Sequence, residues 1–125
     1  MKLSSLRRFL DAKISAGEFI SELTPELSAY RHGLSERGRS APVPVDEDRD
    51  IEITRGDVAT LCRAFLAGQI DTMQLSFVAD AIQLADRVSL RDAWVADAVA
   101  ECTDPEIQGE FTQDRARQVL SRAGA

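Results

Sequence analysis

Side chains able to do acid–base or nucleophilic chemistry are few in this sequence and stand apart from one another. The one histidine, His32, precedes Gly33 at an expected helix end, where its ring can interact with the last carbonyl groups. The two cysteines, Cys62 and Cys102, lie in apolar helical patterns without a Cys-x-x-Cys spacing or a neighbouring histidine. We therefore expect both thiols to be buried as small hydrophobic groups.

Two carboxylates are spaced as an acid–base pair would be. Asp97 and Glu101 are four residues apart on an expected helix, so they share one face. A small hydrolase using either as its base would need a pocket and a perturbed carboxylate, whereas such pairs on a solvated helix are usually surface groups. The sequence also has no metal-ligand spacing and no glycine-rich phosphate loop. We expect no enzyme activity, no cofactor and no metal site.

Charge and one tryptophan point instead to protein binding. Residues 42–114 carry sixteen acidic and five basic residues, in a chain of net charge −6. This distribution argues against nucleic acid or an anionic membrane as partner and favours a basic protein. On the expected fifth helix, Trp94 lies away from the inward-facing Val95, among carboxylates, where an aromatic ring can anchor an interface. The alternative is that the segment around Ile107 or Phe111 folds over the ring and buries it.

The stretch from about residue 35 to 50 is predicted to be a flexible acidic loop. It lacks helical periodicity, contains Pro42 and Pro44, and ends in a run of acidic residues. That run is either an ordinary solvated segment or an electrostatic lure that speeds association with a basic protein. With the fifth helix it supplies the candidate partner-binding residues, which are Asp46, Glu47, Asp48, Asp50, Glu52, Trp94, Asp97 and Glu101.

The elements that position these residues are predicted to be short helices joined by tight corners. Residues 7–19 and 63–75 repeat one pattern: a Phe-Leu helix end, a polar turn, an isoleucine and a capping residue. A glutamate or glutamine follows the cap by three residues and an apolar residue by four, as in a capping box with a hydrophobic staple. The predicted N-caps are Ser15, Thr54, Asp71 and Ser89.

Helical spacing of apolar residues over most of the chain predicts an all-α fold. We expect residues 1–125 to form a single-domain bundle of five to six short helices built from helical hairpins. Pro25 predicts a kink or restart in the second helix, and residues 51–53 are the one candidate for a short extended piece. The fourth helix is apolar around most of its circumference, which places it in the middle of the bundle.

A membrane or secreted location is not indicated by the sequence. Its apolar runs are shorter than the roughly 18 residues that span a bilayer. Arg7, Arg8 and Asp11 interrupt the apolar residues near the N-terminus, so no signal-peptide core is present. We expect a cytoplasmic protein.

Packing motifs recur in several segments of the chain: LCRAFLAGQID (61–71), LSFVADAIQL (75–84), VADAV (95–99) and TDPEI (103–107), together with the corner ISAGEF at residues 14–19. These motifs resemble those of small helical immunity proteins of bacterial competition systems, the colicin-type and contact-dependent-inhibition antidotes. The resemblance covers residues 5–34 and 55–112.

What the resemblance implies is a non-catalytic antidote that binds one cognate toxin domain, often a basic nuclease, and blocks its active site or substrate groove. The charge of the chain agrees with this, because an acidic surface can imitate the phosphate backbone that a nuclease binds. The rival hypothesis is a cytosolic regulatory or adaptor module that recognises a host protein or peptide through a groove between helices.

Overall fold

A computed structural model describes residues 1–35, 43–103 and 111–123 of the chain. Within these ranges the predicted helical bundle is confirmed, with a small two-stranded sheet added. The helices are α1 (Leu3–Leu10), α2 (Ala16–Ser35), α3 (Arg55–Leu66), α4 (Thr72–Leu84), α5 (Ala93–Glu101) and α6 (Gln113–Ala123), and the strands are β1 (Ile51–Ile53) and β2 (Val88–Leu90).

The core is built around α3 and α4. Helix α3 contacts α1, α4, α5 and α6. Helix α4 buries seven side chains between Leu75 and Ile82, on most of its circumference, as its sequence predicted. Two polar residues of α4 face inward as well, because the buried Tyr30 hydroxyl lies 2.9 Å from Ser76 Oγ and donates to Asp80 Oδ2 at 2.7 Å. This network ties α2 to α4.

The two repeated corners adopt the same backbone geometry. Both place a residue in the left-handed region just after the helix, with φ of 61° at Ala12 and 75° at Gly68. In each corner the next residue donates back five positions, from the Lys13 amide to the Arg8 carbonyl at 2.8 Å and from Gln69 to Ala64 at 2.9 Å. This pattern is the Schellman motif, which satisfies carbonyls that a helix end leaves free.

Capping boxes start the helices that follow these corners, and a third starts α3. Ser15 Oγ accepts from the Glu18 amide at 3.1 Å, and Asp71 Oδ1 accepts from the Gln74 amide at 2.7 Å. At α3, Thr54 is the cap and the box is closed by Asp57. The predicted caps at Ser15, Thr54 and Asp71 are therefore confirmed.

One predicted cap was wrong. Ser89 does not cap α5 but lies in β2, and the cap is Asp92, whose Oδ1 accepts from the Val95 amide at 2.9 Å. Of the two alternatives predicted at Pro25, a restart is excluded, because α2 continues to Ser35 with the proline inside it. Proline removes one backbone donor from the helix, and 20 residues of otherwise continuous helix accommodate that loss.

The sheet is parallel, and its connection from β1 to β2 runs through α3 and α4. Ile51 lies opposite Val88 and Ile53 lies opposite Leu90. The extended piece at residues 51–53 was anticipated, but β2 was not. A strand of three residues is too short to display a period of two in the sequence.

A partly buried ion pair joins α1 to the first turn of α3. Arg7 donates from Nη2 to Asp57 Oδ1 at 2.7 Å and from Nη1 to Oδ2 at 3.2 Å. The side chains are only 17% and 9% exposed. Arg7 also donates to the Glu52 carbonyl at 3.1 Å, so one guanidinium links α1, β1 and α3.

The pKa of Asp57 reflects this environment. Burial disfavours the charged carboxylate, but hydrogen bonds from Arg7 and Thr54 outweigh that effect and hold its pKa below the ordinary value. The ion pair therefore stabilises the fold while Asp57 is ionised.

Among the described helices, none combines the length and the apolar character that crossing a bilayer requires.

The two corners predict that glycine at the left-handed position stabilises the protein and that alanine there destabilises it. Ala12→Gly should raise the free energy of unfolding by about 0.5–1 kcal/mol, because glycine adopts a positive φ without steric cost. Gly68→Ala should lower it by about 1 kcal/mol. An added methyl group at Gly68 would meet no atom within 4 Å, so the effect isolates backbone strain. Urea unfolding measures both, and two changes of the same sign would contradict this assignment.

The Arg7–Asp57 pair predicts a large and pH-dependent effect. Asp57→Asn should destabilise the protein by about 2 kcal/mol at neutral pH, because Arg7 loses its buried charged partner and keeps only the exposed Asp11 carboxylate at 2.8 Å. Asp114→Asn removes an exposed pair with Arg117 and should cost under about 1 kcal/mol.

The contribution of Asp57 is complete above its unfolded-state pKa of about 3.8 and is lost as pH falls through its lower folded-state pKa. Urea unfolding from pH 7 down to about pH 2 should therefore show a smaller decline for Asp57→Asn than for the unaltered protein. Parallel declines would exclude Asp57 as a source of acid sensitivity.

Candidate functional site

The described part of the predicted acidic loop is held against the helical body. Asp46 forms a parallel bridge with Lys2, in which its amide donates to the Met1 carbonyl at 2.7 Å and its carbonyl accepts from Leu3 at 3.0 Å. The Met1 ammonium also binds the Glu26 carboxylate and the Pro44 carbonyl. Residues 36–42, the first half of the predicted loop, lie outside the described residues.

Most acidic side chains of this run bind groups of the protein itself. Asp48 accepts from the Ser4 amide at 2.9 Å and from the Ser4 hydroxyl, which places it at the first turn of α1. Arg87 binds the acidic residues on either side of Asp48 in the sequence. The Arg87 amide donates to Glu47 Oε1 and its Nε donates to Asp50 Oδ1, both at 2.8 Å.

Glu52 is also engaged, in an ion pair with Arg91 at 3.0 Å. Arg87 and Arg91 lie immediately before and after β2, so these ion pairs help to link the two strands. The expectation that residues 46–52 present a continuous anionic lure is thus poorly supported, because arginines nearly 40 residues away neutralise Asp50 and Glu52. Only the carboxylate of Asp46 is exposed and without a bonded partner among the described residues of this run.

Electrostatic effects on these carboxylates are consistent with their structural use. Hydrogen bonds from Ser4 hold the pKa of Asp48 below its ordinary value, and the Arg87 guanidinium does the same for Asp50. Asp50 in turn raises the pKa of Arg87. Both carboxylates are therefore stabilised in the charged form by partners within the chain.

The outer face of α5 differs from the acidic run. Asp97 is exposed and Glu101 is half-buried, and within the described ranges neither carboxylate forms an ion pair. Arg115 Nη2 lies near Glu101 and donates to its main-chain carbonyl at 3.4 Å. Trp94 is half-buried on the same face and packs against the edge of the core. We refer to Trp94, Asp97 and Glu101 as the α5 surface.

An arginine from α3 covers part of the tryptophan. The Arg55 guanidinium lies 5.1 Å from the centre of the Trp94 ring, within the range of a cation–π contact. Arg55 is held in turn by Asp92 at 3.3 Å. The Val95 amide and Arg55 together hold the pKa of Asp92 below its ordinary value. One aspartate thus caps α5 and positions the arginine that rests on the indole.

The C-terminal residue named as a possible cover of the tryptophan packs elsewhere. Phe111 is buried with its ring 5.5 Å from that of Phe65, and the Arg115 guanidinium lies 5.3 Å from its centre. Ile107 lies outside the described residues. Trp94 keeps an intermediate exposure, which leaves part of its ring accessible to a partner.

The other candidate chemical groups occupy structural positions. Cys62 and Cys102 are buried, unpaired thiols, as their apolar surroundings predicted. Burial raises the pKa of Cys62 to about 11 and raises that of Cys102 further, so both favour the unreactive protonated form. His32 is exposed in the last turn of α2. The described residues contain no group of three or more side chains arranged to hold a metal ion.

The residues of the α5 surface were candidates from the sequence, but the residues that position them were not predicted. The Arg55–Asp92 pair spans 37 residues and left no local signal, although Asp92 follows the pattern of an N-cap three residues before an apolar Val95. The pairing of Arg87 and Arg91 with the acidic run could not be predicted either, because these residues are nearly 40 positions apart in the sequence. Comparison with known family models, curated proteins and solved structures finds no match for this chain.

Arg55 is predicted to shield the only tryptophan. Arg55→Ala should increase the quenching of Trp94 fluorescence by acrylamide, because the guanidinium no longer covers the ring. It should lower the free energy of unfolding by about 0.5–1 kcal/mol. Arg63→Ala, on the same helix, is the matched control and should change neither property. Equal quenching in the unaltered and Arg55→Ala proteins would show that the ring is not covered in solution.

Proposed function

We propose that this protein is a non-catalytic immunity protein that acts in the cytoplasm, where it binds and neutralises a cognate bacterial toxin domain with a basic contact surface. The observation that carries the proposal is the α5 surface, where a half-buried tryptophan shares one helix face with two carboxylates that form no ion pair within the described ranges. The resemblance of the packing motifs to small helical antidotes points to the same function.

An aromatic ring of this kind is suited to anchor an interface. Tryptophan is enriched among the residues that dominate binding energy, because it buries a large area with few rotatable bonds. Arg55 and Asp92 already fix the position of the indole through contacts at 5.1 and 3.3 Å. A ring that is ordered before binding loses little conformational entropy in the complex.

The charge of the α5 surface selects for a basic partner. Asp97 and Glu101 are one helical turn apart, and neither carboxylate forms an ion pair within the described ranges, although the Arg115 guanidinium binds the Glu101 carbonyl. A cationic groove shaped for nucleic acid would meet negative charge there in place of a phosphate backbone. Such complementarity increases the association rate and penalises acidic competitors more than it increases affinity.

The rest of α5 provides a fixed base for this contact. Its inner face is buried through Val95, Ala98 and Val99, and its first turn is capped by Asp92. Helix α5 also contacts α3 and α4 at the centre of the bundle. The binding residues are therefore carried by a helix that is anchored on one side and open on the other.

The direct test is growth rescue by co-expression with the protein encoded by the adjoining gene. Arrest by that protein alone, relieved when this chain is present, is the expected result. A harmless neighbour, or arrest that this chain does not relieve, would overturn the immunity proposal. A harmless neighbour would also favour the adaptor hypothesis.

Variants of the α5 surface predict how rescue and binding respond. Trp94→Ala should weaken affinity for the toxin domain by about 30-fold or more, as loss of a central aromatic anchor does. Asp97→Lys with Glu101→Lys should slow association and reduce its dependence on salt, because the attractive charges are removed. Surface plasmon resonance at several salt concentrations measures both effects.

The matched control is Glu22→Lys with Asp114→Lys, which changes the net charge equally at exposed positions of α2 and α6. This control should retain most of the affinity. If the control and the α5 variant lose binding equally, then overall charge governs association, and α5 is not the contact surface.

A further inference from the structure

A second surface feature is a cleft between the α1–α2 corner and α3. Its volume is about 590 Å³. Its floor is apolar and contains the buried Phe9 and the half-buried Ile14. Lys13 and Arg63 line it from opposite elements, the corner and α3 respectively. It shares no residue with the α5 surface.

The cleft lies where the two repeated corners meet. Residues 12–16 line it from the first corner, and Ala64, Ala67 and Gln69 line it from the second. Small side chains on both corners leave space that larger residues would have filled. The repetition that builds the fold therefore also creates a concave surface with an apolar floor.

Two cations that line this cleft have no carboxylate partner within the described ranges. Lys13 and Arg63 are both exposed, and neither forms an ion pair there. By contrast, Arg7, Arg55 and Arg87 each bind a carboxylate of the chain. What distinguishes Lys13 and Arg63 is that both line the same cleft, where one acidic partner segment can reach them together.

The one acidic residue lining the cleft is already engaged. Glu18 closes the capping box, with Oε1 3.5 Å from the Ser15 amide. Its own amide donates to Ser15 Oγ at 3.1 Å. At the same helix end, the first two amides of α2 point outward without acceptors in the helix, which adds positive character to the wall.

We propose that this cleft binds an acidic segment of a partner protein. Carboxylates of the segment pair with Lys13 and Arg63, and an apolar side chain between them packs on Phe9 and Ile14. The apolar floor favours a peptide over a free phosphate, which would gain nothing from it. Guanidinium and ammonium groups on two walls favour carboxylates spaced along a chain.

A labelled peptide with a central leucine–phenylalanine pair flanked by glutamates is the probe, and fluorescence anisotropy is the readout. The unaltered protein should bind it, and the affinity should decrease with salt. Lys13→Glu with Arg63→Glu should weaken binding by about 100-fold, since each charge-assisted contact contributes about tenfold. Arg31→Glu with Arg122→Glu is the control of equal charge on α2 and α6, and it should bind like the unaltered protein.

Each alternative result has a defined meaning. A lysine-flanked peptide that binds equally well, or no binding of the glutamate peptide at millimolar concentration, overturns the proposal. Displacement of the peptide by an equal concentration of inorganic phosphate also overturns it, in favour of a simple anion site. Thermal unfolding of each variant shows whether lost binding reflects lost folding, and the milder Lys13→Gln provides a second reading if the double variant does not fold.

The result is independent of the proposed antidote activity. Charge reversal in the cleft should leave growth rescue through the α5 surface unchanged, because no residue is shared between the two surfaces. Failure of the peptide test therefore leaves the immunity proposal standing, and failure of growth rescue leaves the cleft proposal standing.

Discussion

The bond between Arg7 and Asp57 is the constraint on which the arrangement of the N-terminal half depends. The Asp57 side chain closes the capping box of α3, and the same carboxylate binds the Arg7 guanidinium. Because Arg7 also holds the Glu52 carbonyl, the position of β1 follows from the position of α1. Desolvation of the two groups is compensated only while this geometry is kept, so the pair enforces one arrangement more than it adds stability.

The acidic residues fall into two groups, according to whether an arginine of the chain binds their carboxylate. Glu47, Asp50 and Glu52 bind Arg87 or Arg91 and so join β1 and the residues before it to the chain around β2. These carboxylates are therefore paired within the fold. The carboxylates of Asp97 and Glu101 on α5 form no ion pair within the described ranges, which makes that face the better candidate for contact with another protein.

Each feature could be predicted from the sequence only if its interacting residues lie close together along the chain. Capping boxes and the corners at Ala12 and Gly68 involve residues at most five positions apart, and the sequence displayed them directly. The all-α class followed from periodicity in the same way. Strand β2 and the Arg55–Asp92 pair depend on partners 37 residues away, so neither could be inferred locally. The candidate site was therefore predicted in part: its helix correctly, its supporting contacts not at all.

Net charge is consequently a poor guide to what a partner protein encounters. At physiological ionic strength an exposed charge acts over about 8 Å, so that a partner senses only the nearest uncompensated groups. On this protein those groups have opposite sign on two surfaces: negative beside Trp94 on α5, and positive in the cleft through Lys13 and Arg63. A chain of net charge −6 can thus expose unpaired groups of either sign on separate surfaces, because internal ion pairs determine which charges remain outside.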